Sequence, residues 1–239
     1  MAYNFQEYYN KQLNEAKMLN SNHALQVVKE IGKQVDEAGY DLYIIGGAVR
    51  DEIMGKIPND YDLNTNMPQE KYLALFDTNS GVNNRRIKDI AHTIKDGEEF
   101  ETSLLRPGYT IEQQCLETDF TMNSLAKNVK TDKIIDVYGT GVSDIKNHIL
   151  RYTDFTKDEL RAGRSLANFW RMLKFYARYK WEIEPDSLQA MKDWIEVRGD
   201  KIYPYNKATT AKVLEGKYVE DMYQLCRDLG VYEKLWGKK

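Results

Sequence analysis

Cysteine is nearly absent from these 239 residues: Cys115 and Cys226 stand alone, with no CxxC spacing. A disulfide framework and a thiolate zinc site are thereby excluded. The three histidines, His23, His92 and His148, are scattered and form no HExxH pair. Metal chemistry must therefore rest on oxygen ligands. No apolar run approaches the roughly 20 residues that span a bilayer. The opening MAYNFQEYYNKQ lacks the basic-then-apolar order of a secretion signal. These absences read as a cytoplasmic chain. What is present, 42% hydrophobic and 30% charged residues, fits a globular protein with a real core.

The net charge of −3 hides an asymmetry. Residues 1–150 carry 16 Lys+Arg against 23 Asp+Glu, whereas residues 151–239 carry 18 against 14. An acidic half followed by a basic one suits a cation-binding catalytic domain beside a polyanion-holding one, although charge runs are also ordinary solvated surface. The composition change places a soft boundary near 150, giving domains 1–150 and 151–239.

Periodicity predicts a helix near 5–38, where Ala24, Val27, Val28, Ile31 and Val35 recur at helical steps, stopped by Gly39. A strand follows at Leu42–Ile45, then helical turns over Ala48–Met54, then a strand at Tyr61–Thr65. Asp96-Gly97 is a hairpin dipeptide between Ile90–Lys95 and Glu99–Leu105. Asp119–Lys127 reads as helix and Lys133–Tyr138 as strand or turn. Long helices begin at Lys157. No acidic residue occurs from Leu160 to Trp181. Taken as one helix, Arg161, Arg164, Arg171, Lys174 and Arg178 share a sector opposite Leu166, Phe169, Trp170, Leu173 and Tyr176. The basic sector is either a phosphate-facing ridge or a solvated face; Trp170 and Tyr176 read as core.

The chemistry concentrates in YIIGGAVRDEIMGKIPNDYD, residues 43–62. Asp60 and Asp62, two apart on a strand, point the same way at a Cα separation of about 6.6 Å. Their mutual repulsion is relieved by a divalent cation, and oxygen-only ligands select Mg²⁺. Glu101, on the hairpin's second arm, is a candidate third carboxylate. Gly46-Gly47 lets backbone amides approach a phosphate chain, with Arg50 as a charge-assisted contact. Each feature alone has a bland reading, an exposed edge strand or a glycine turn with a surface arginine. Their fixed order is the signal.

That order resembles the head-domain signature of class II tRNA nucleotidyltransferases (CCA-adding enzymes) and bacterial poly(A) polymerases, within the polymerase-beta-like superfamily. TDFTMNSLA (Thr118–Ala126) resembles the family's RRDFTINALA, IIDVYGTGVSDIKNHILR (Ile134–Arg151) its IIDPFGG–DL–IR segment, and KDELRAGR (Lys157–Arg164) its EDxxRxxR. The resemblance implies an α+β head with a mixed sheet and flanking helices, followed by an α-helical neck. It further implies transfer of CMP or AMP from CTP or ATP to an RNA 3′ end, that of tRNA first. Asp60 and Asp62 would hold two Mg²⁺ ions, with Glu101 completing the set. Gly46, Gly47 and Arg50 would touch the nucleotide, and Asp119 and Asn123 would organise its ribose side. Asp158 and Arg161 would read the base edge, and Arg164 would add a contact; Arg171, Lys174 and Arg178 are the candidate RNA contacts. The sequence departs from the pattern at Glu117-Thr118, where the family has an arginine pair that Arg85 or Arg86 could replace. It departs again at Lys157 and Ala167. A poly(A) polymerase, a relative with another acceptor and a non-catalytic nucleotide- or RNA-binding module remain as other readings.

Overall fold

The computed structural model describes residues 5–76 and 90–237, with side chains from Ser21 onward. Arg85 and Arg86 lie outside the described residues. The chain folds as two compact units, one taking residues up to Cys115 together with Asn123–Val137, the other Leu116–Met122 together with residues from Tyr138. The composition change near 150 falls inside the second unit.

The first unit is built on a six-stranded mixed sheet. Helix α1 (Phe5–Glu37) leads into β1 (Leu42–Ile45), α2 (Gly47–Ile53), β2 (Leu63–Thr65) and α3 (Gln69–Leu75). The hairpin β3 (Ile90–Lys95) and β4 (Glu98–Leu104) follows, then α4 (Ile111–Leu116), and, after the crossing into the second unit, β5 (Leu125–Asn128) and β6 (Ile134–Asp136). The strand order is β3-β4-β2-β1-β5-β6. β2 pairs antiparallel with β1 and parallel with β4. The α+β class implied by the resemblance is the class observed.

The sheet has two faces set by strand alternation. One face carries Leu42, Ile44 and Leu63 toward α1, where Gly32 lies close enough that an added Cβ would stand 3.7 Å from Leu42 Cδ2. Val27, Val28, Ile31 and Val35 of α1 are buried, as the helical spacing predicts. On the opposite face Tyr43 and Ala126 pack with Ile111 and Cys115 of α4. The hairpin turn at Asp96-Gly97 has both residues at positive φ, 51° and 82°, the geometry that makes this dipeptide favourable there.

Two local expectations are corrected. Residues 119–127 are not a helix: a single 3₁₀ turn, Thr121–Asn123, runs straight into β5. Leu125 and Ala126 are fully buried and Ala126 pairs with Ile45, so sheet pairing overrides local helix propensity. Strand β2 begins at Leu63, not Tyr61, which leaves Asp60 and Asp62 on the extended run leading into it.

The second unit contains α5 (Gly141–Lys146), the parallel pair β7 (Ile149–Leu150) and β8 (Glu182–Ile183), α6 (Asp154–Arg161) and α7 (Leu166–Tyr179). Beyond these come α8 (Pro185–Arg198), α9 (Lys207–Leu214), α10 (Val219–Asp228) and α11 (Tyr232–Trp236). The stretch from Leu160 to Trp181 is broken rather than one helix. Gly163 has φ 69° and Ser165 is left-handed at φ 59°. A Cβ on Gly163 would meet Val197 Cγ1 at 2.4 Å, so the break also lets α8 approach. The expected common sector of Arg161 and Arg164 with Arg171, Lys174 and Arg178 therefore does not exist as one helix face. Within α7, Phe169, Trp170 and Leu173 are buried, while Tyr176 is half-buried. Among the described residues no helix is long and apolar enough to cross a membrane.

Asp144 is the electrostatic hub of this unit. It is 2% exposed, accepts from Thr121 Oγ1 at 2.6 Å and from Arg151 Nε at 2.9 Å. Arg151 also meets Glu184 at 3.3 Å, and Glu184 and Asp186 hold the buried Lys157 at 3.7 and 3.1 Å. Lys157, which departs from the family pattern, is thus a structural cation facing inward. Removing one partner of a buried pair strands the other, at a cost of about 3–5 kcal/mol, and Arg151 is only partly shielded. Asp144→Ala is expected to lower the unfolding free energy by about 3 kcal/mol in urea melts.

Candidate active site

Strand β1 ends at Ile45, and the chain must then turn sharply into α2. Gly46 makes that turn at φ 62° and ψ −115°, a region that side chains rarely enter. Its N–H donates to Leu125 O at 2.9 Å, which fastens the turn to β5. Arg50, on α2, is 6% exposed. Its guanidinium donates to Asp51 Oδ1 at 2.8 and 3.0 Å and to Asn123 Oδ1 at 2.7 Å. Arg50 and Asn123, both singled out in the sequence, are therefore bonded to each other. Gly47 stands beside them, an added Cβ lying 3.7 Å from Arg50 Nη2.

The carboxylates lie next to this turn. Ile45 N–H donates to Asp62 O at 3.0 Å, so the ladder between β1 and β2 continues one residue past β2. Tyr61 and Leu63 are buried while Asp60 and Asp62 are exposed, the alternation that the period of two predicts. The parallel register pairs Leu63 with Thr102. One step back, Asp62 stands beside Glu101 on the same sheet face, and Glu101 in turn pairs with His92 of β3. Burial raises the Asp62 carboxyl above its ordinary value, although its surface is largely open, and the negative charges of Asp60 and Glu101 raise it further. The three carboxylates share one field.

Among the described residues no three His, Cys, Asp or Glu side chains converge into a ready-made metal cage. Magnesium does not require one, because it is bound by one or two carboxylates completed by water and substrate phosphates. Asp60 and Asp62, mutually repelling and open to solvent, fit that requirement. A cavity of about 390 Å³ borders Asp60, lined also by Ser21, Asn59, Tyr61 and Glu98. It includes neither Asp62 nor the glycine turn, so the carboxylate row, not the cavity, defines the site.

Asn64 was not singled out by the sequence reading. It follows Asp60 and Asp62 at the same period of two, yet it is 0% exposed, and neither Oδ1 nor Nδ2 has a hydrogen-bond partner among the described residues. Each such orphaned group costs about 1–3 kcal/mol. The period that picked out the aspartates would have found it; its burial is a tertiary fact.

In the second unit, Asp119 accepts from Phe120 N–H at 3.0 Å and is ion-paired to Arg171 Nε. Asp158 and Arg161 are brought together on α6, Arg161 Nη1 lying 3.9 Å from Asp158 Oδ1. The same guanidinium also bonds Asp186 and sits 3.5 Å from Asp193, both on α8. Arg164 is held by Glu159 at 2.6 Å. Lys174 is pushed down to about 8, first by burial and then by Arg171, with Lys212 of α9 and Arg178 adding to the effect. Lys212 is a cation that the sequence reading did not connect to α7, since only the fold joins the two helices. Arg178 is exposed, over the Tyr179 ring at 5.3 Å.

The sequence profile of the Poly A polymerase head domain matches residues 42–112 and 105–151. Poly(A) polymerase I of Haemophilus influenzae is 26% identical over 90% of this chain and 51% of its own length. The CCA-adding enzyme of Lactobacillus helveticus is 27% identical over 66% of this chain and 42% of its own. Residues 42–151 thus match the head domain, and the chain is similar to the class II nucleotidyltransferases, the family of poly(A) polymerase I and the CCA-adding enzymes. It spans about half the length of the curated relatives it matches. Among solved structures, the Bacillus stearothermophilus CCA-adding enzyme in complex with CTP superposes with a TM-score of 0.73 at 24% identity, covering 89% of this chain and 54% of that one. The Thermotoga maritima CCA-adding enzyme complexed with tRNA also gives 0.73, at 20% identity over 92% and 55%. Likeness at that identity shows that the chain shares the fold of the matched part of those enzymes.

A raised carboxyl pKa means that the ionised form costs the folded state stability above that pKa, and nothing below the unfolded value of about 3.9. Asp62→Asn is therefore expected to raise Tm at pH 7.5 by about 1–2 °C, solvent screening keeping the effect small. The gain should vanish as pH falls toward about 4. Calorimetry of both proteins across pH 4–8 checks this.

Proposed function

We propose that the chain is a template-independent RNA nucleotidyltransferase that adds CMP or AMP from CTP or ATP to an RNA 3′ end, that of tRNA first, releasing pyrophosphate. The observation that carries this reading is the Ile45–Asp62 backbone hydrogen bond, at 3.0 Å, which sets the glycine turn beside the aspartates. The relatives named as CCA-adding enzymes, solved in complex with CTP, ATP and tRNA, support it.

In this reading Asp60 and Asp62 hold Mg²⁺, with Glu101 completing the set. When bound, the metal lowers the pKa of the attacking hydroxyl and neutralises the triphosphate. The Gly46-Gly47 turn brings backbone close to the phosphates. Arg50 acts by fixing that turn to Asn123 rather than by presenting a free charge, because Asp51 and Asn123 already hold its guanidinium. In the helical unit Asp158 and Arg161 read the base edge, with Arg161 exchanging a carboxylate partner on α8 for the base. Asp119 and Arg164 lie beside the nucleotide, and Arg171, Lys174 and Arg178 follow the RNA backbone.

Poly(A) polymerase activity is the second reading, favoured by a match that runs over 90% of this chain for poly(A) polymerase I against 66% for a CCA-adding relative. Both are tested by Mg²⁺-dependent labelling of tRNA lacking its 3′ CCA, with each NTP in turn. CCA addition stops after three nucleotides and requires CTP and ATP, whereas a poly(A) polymerase extends with ATP alone. Asp60→Ala is expected to lower kcat about 10³-fold, as loss of transition-state charge stabilisation does, with the fold intact. Wild-type turnover in that variant removes the assignment. Arg161→Ala should change the preference between CTP and ATP by about tenfold, within the range of base-edge contacts.

A further inference from the structure

Asn64 carries a feature that neither the fold nor the proposed reaction has absorbed. Its side chain has no exposed surface, and both amide atoms lack a hydrogen-bond partner among the described residues. Native proteins rarely leave one such atom unsatisfied, and when they do, a ligand, an ion or an ordered water is the usual resolution. Its place narrows the choice. Asn64 pairs with Tyr43 on β1 and with Ser103 on β4. Tyr43 belongs to the apolar cluster capped by Ile111 and Cys115. In the other direction along the same face stand Asp62, one period away on its own strand, and Glu101, one period before Ser103. Asn64 thus sits where the covered half of the face meets the carboxylate row.

We infer that Asn64 is a positioning residue for the cation site: its buried amide is the hydrogen-bond partner kept for the Asp62 carboxylate when Asp60 and Asp62 close on a divalent cation. Both carboxylates are exposed, and their like charges repel. A cation removes the repulsion and lets Asp62 turn inward along its face. The carboxylate oxygen not facing the ion then accepts from Nδ2, as ligating carboxylates generally accept from a further donor. Oδ1 is left to accept from the hydration shell that Mg²⁺ retains. The inference rests on the proposed cation site and adds the residue that orients it.

Thermal melts of the 239-residue chain titrated with MgCl₂, without nucleotide or RNA, test it. Asn64→Val removes the orphaned amide, so its metal-free Tm should equal or exceed that of wild type. Its Mg²⁺ concentration for half-maximal stabilisation should rise about 10- to 100-fold, the usual effect of losing a group that orients a ligand. Asn64→Ser, which keeps a donor, should fall between the two and serves alone if the valine variant does not fold. Asp62→Asn is the control. If it abolishes the Mg²⁺ response while the Asn64 variants titrate as wild type, a buried water satisfies the amide and the inference fails, with the cation site standing. If Asp62→Asn leaves the response unchanged, the cation site fails and the inference falls with it.

Discussion

A single register holds the candidate site together. Strand β2 is three residues long and is wedged between an antiparallel neighbour, β1, and a parallel one, β4. From β1 it receives the turn at Gly46; from β4 it receives Glu101. The bond from Ile45 N–H to Asp62 O extends this wedge past the end of the strand. Because side chains alternate with a period of two, a slip of one residue would turn Asp60 and Asp62 under α1 and bring Tyr61 and Leu63 to the open face. The buried Tyr61 and Leu63 resist that slip, so the apolar packing of one face fixes the chemistry of the other.

The two units treat their charges in opposite ways. In the sheet unit the Asp62 carboxyl is raised, first by burial and then by the like charges of Asp60 and Glu101. In the helical unit Lys157, Arg161, Arg164 and Arg171 each have a carboxylate partner. Nucleotide or RNA contact by these cations therefore means exchanging one anion for another rather than filling a vacant charge. Lys174 differs: burial and neighbouring cations disfavour its charge, so an incoming phosphate would relieve the strain.

The sequence disclosed the parts governed by local rules. The period of two placed Asp60 and Asp62 on one face, Asp96-Gly97 marked its hairpin, and the spacing of Val27, Val28, Ile31 and Val35 gave the buried face of α1. It failed where distant residues decide. Residues 125–128 became a strand because β1 and β6 pair on either side. The helix after Asp158 breaks at Gly163 and Ser165, both at positive φ, and Val197 packs 2.4 Å from where a Cβ on Gly163 would stand. Arg50 looked like a free cation, yet its partner Asn123 lies 73 residues away. The inward turn of Lys157 and the burial of Asn64 likewise belong to packing, which no spacing encodes.

The central claim is that the register of β1, β2 and β4 assembles a cation site from Asp60 and Asp62. Electron paramagnetic resonance of free Mn²⁺, titrated with the protein, reads that claim without substrate or turnover. Wild type should deplete the free-ion signal saturably, and Asp60→Ala combined with Asp62→Ala should leave the signal undiminished. Equal depletion by the folded double variant would contradict the account.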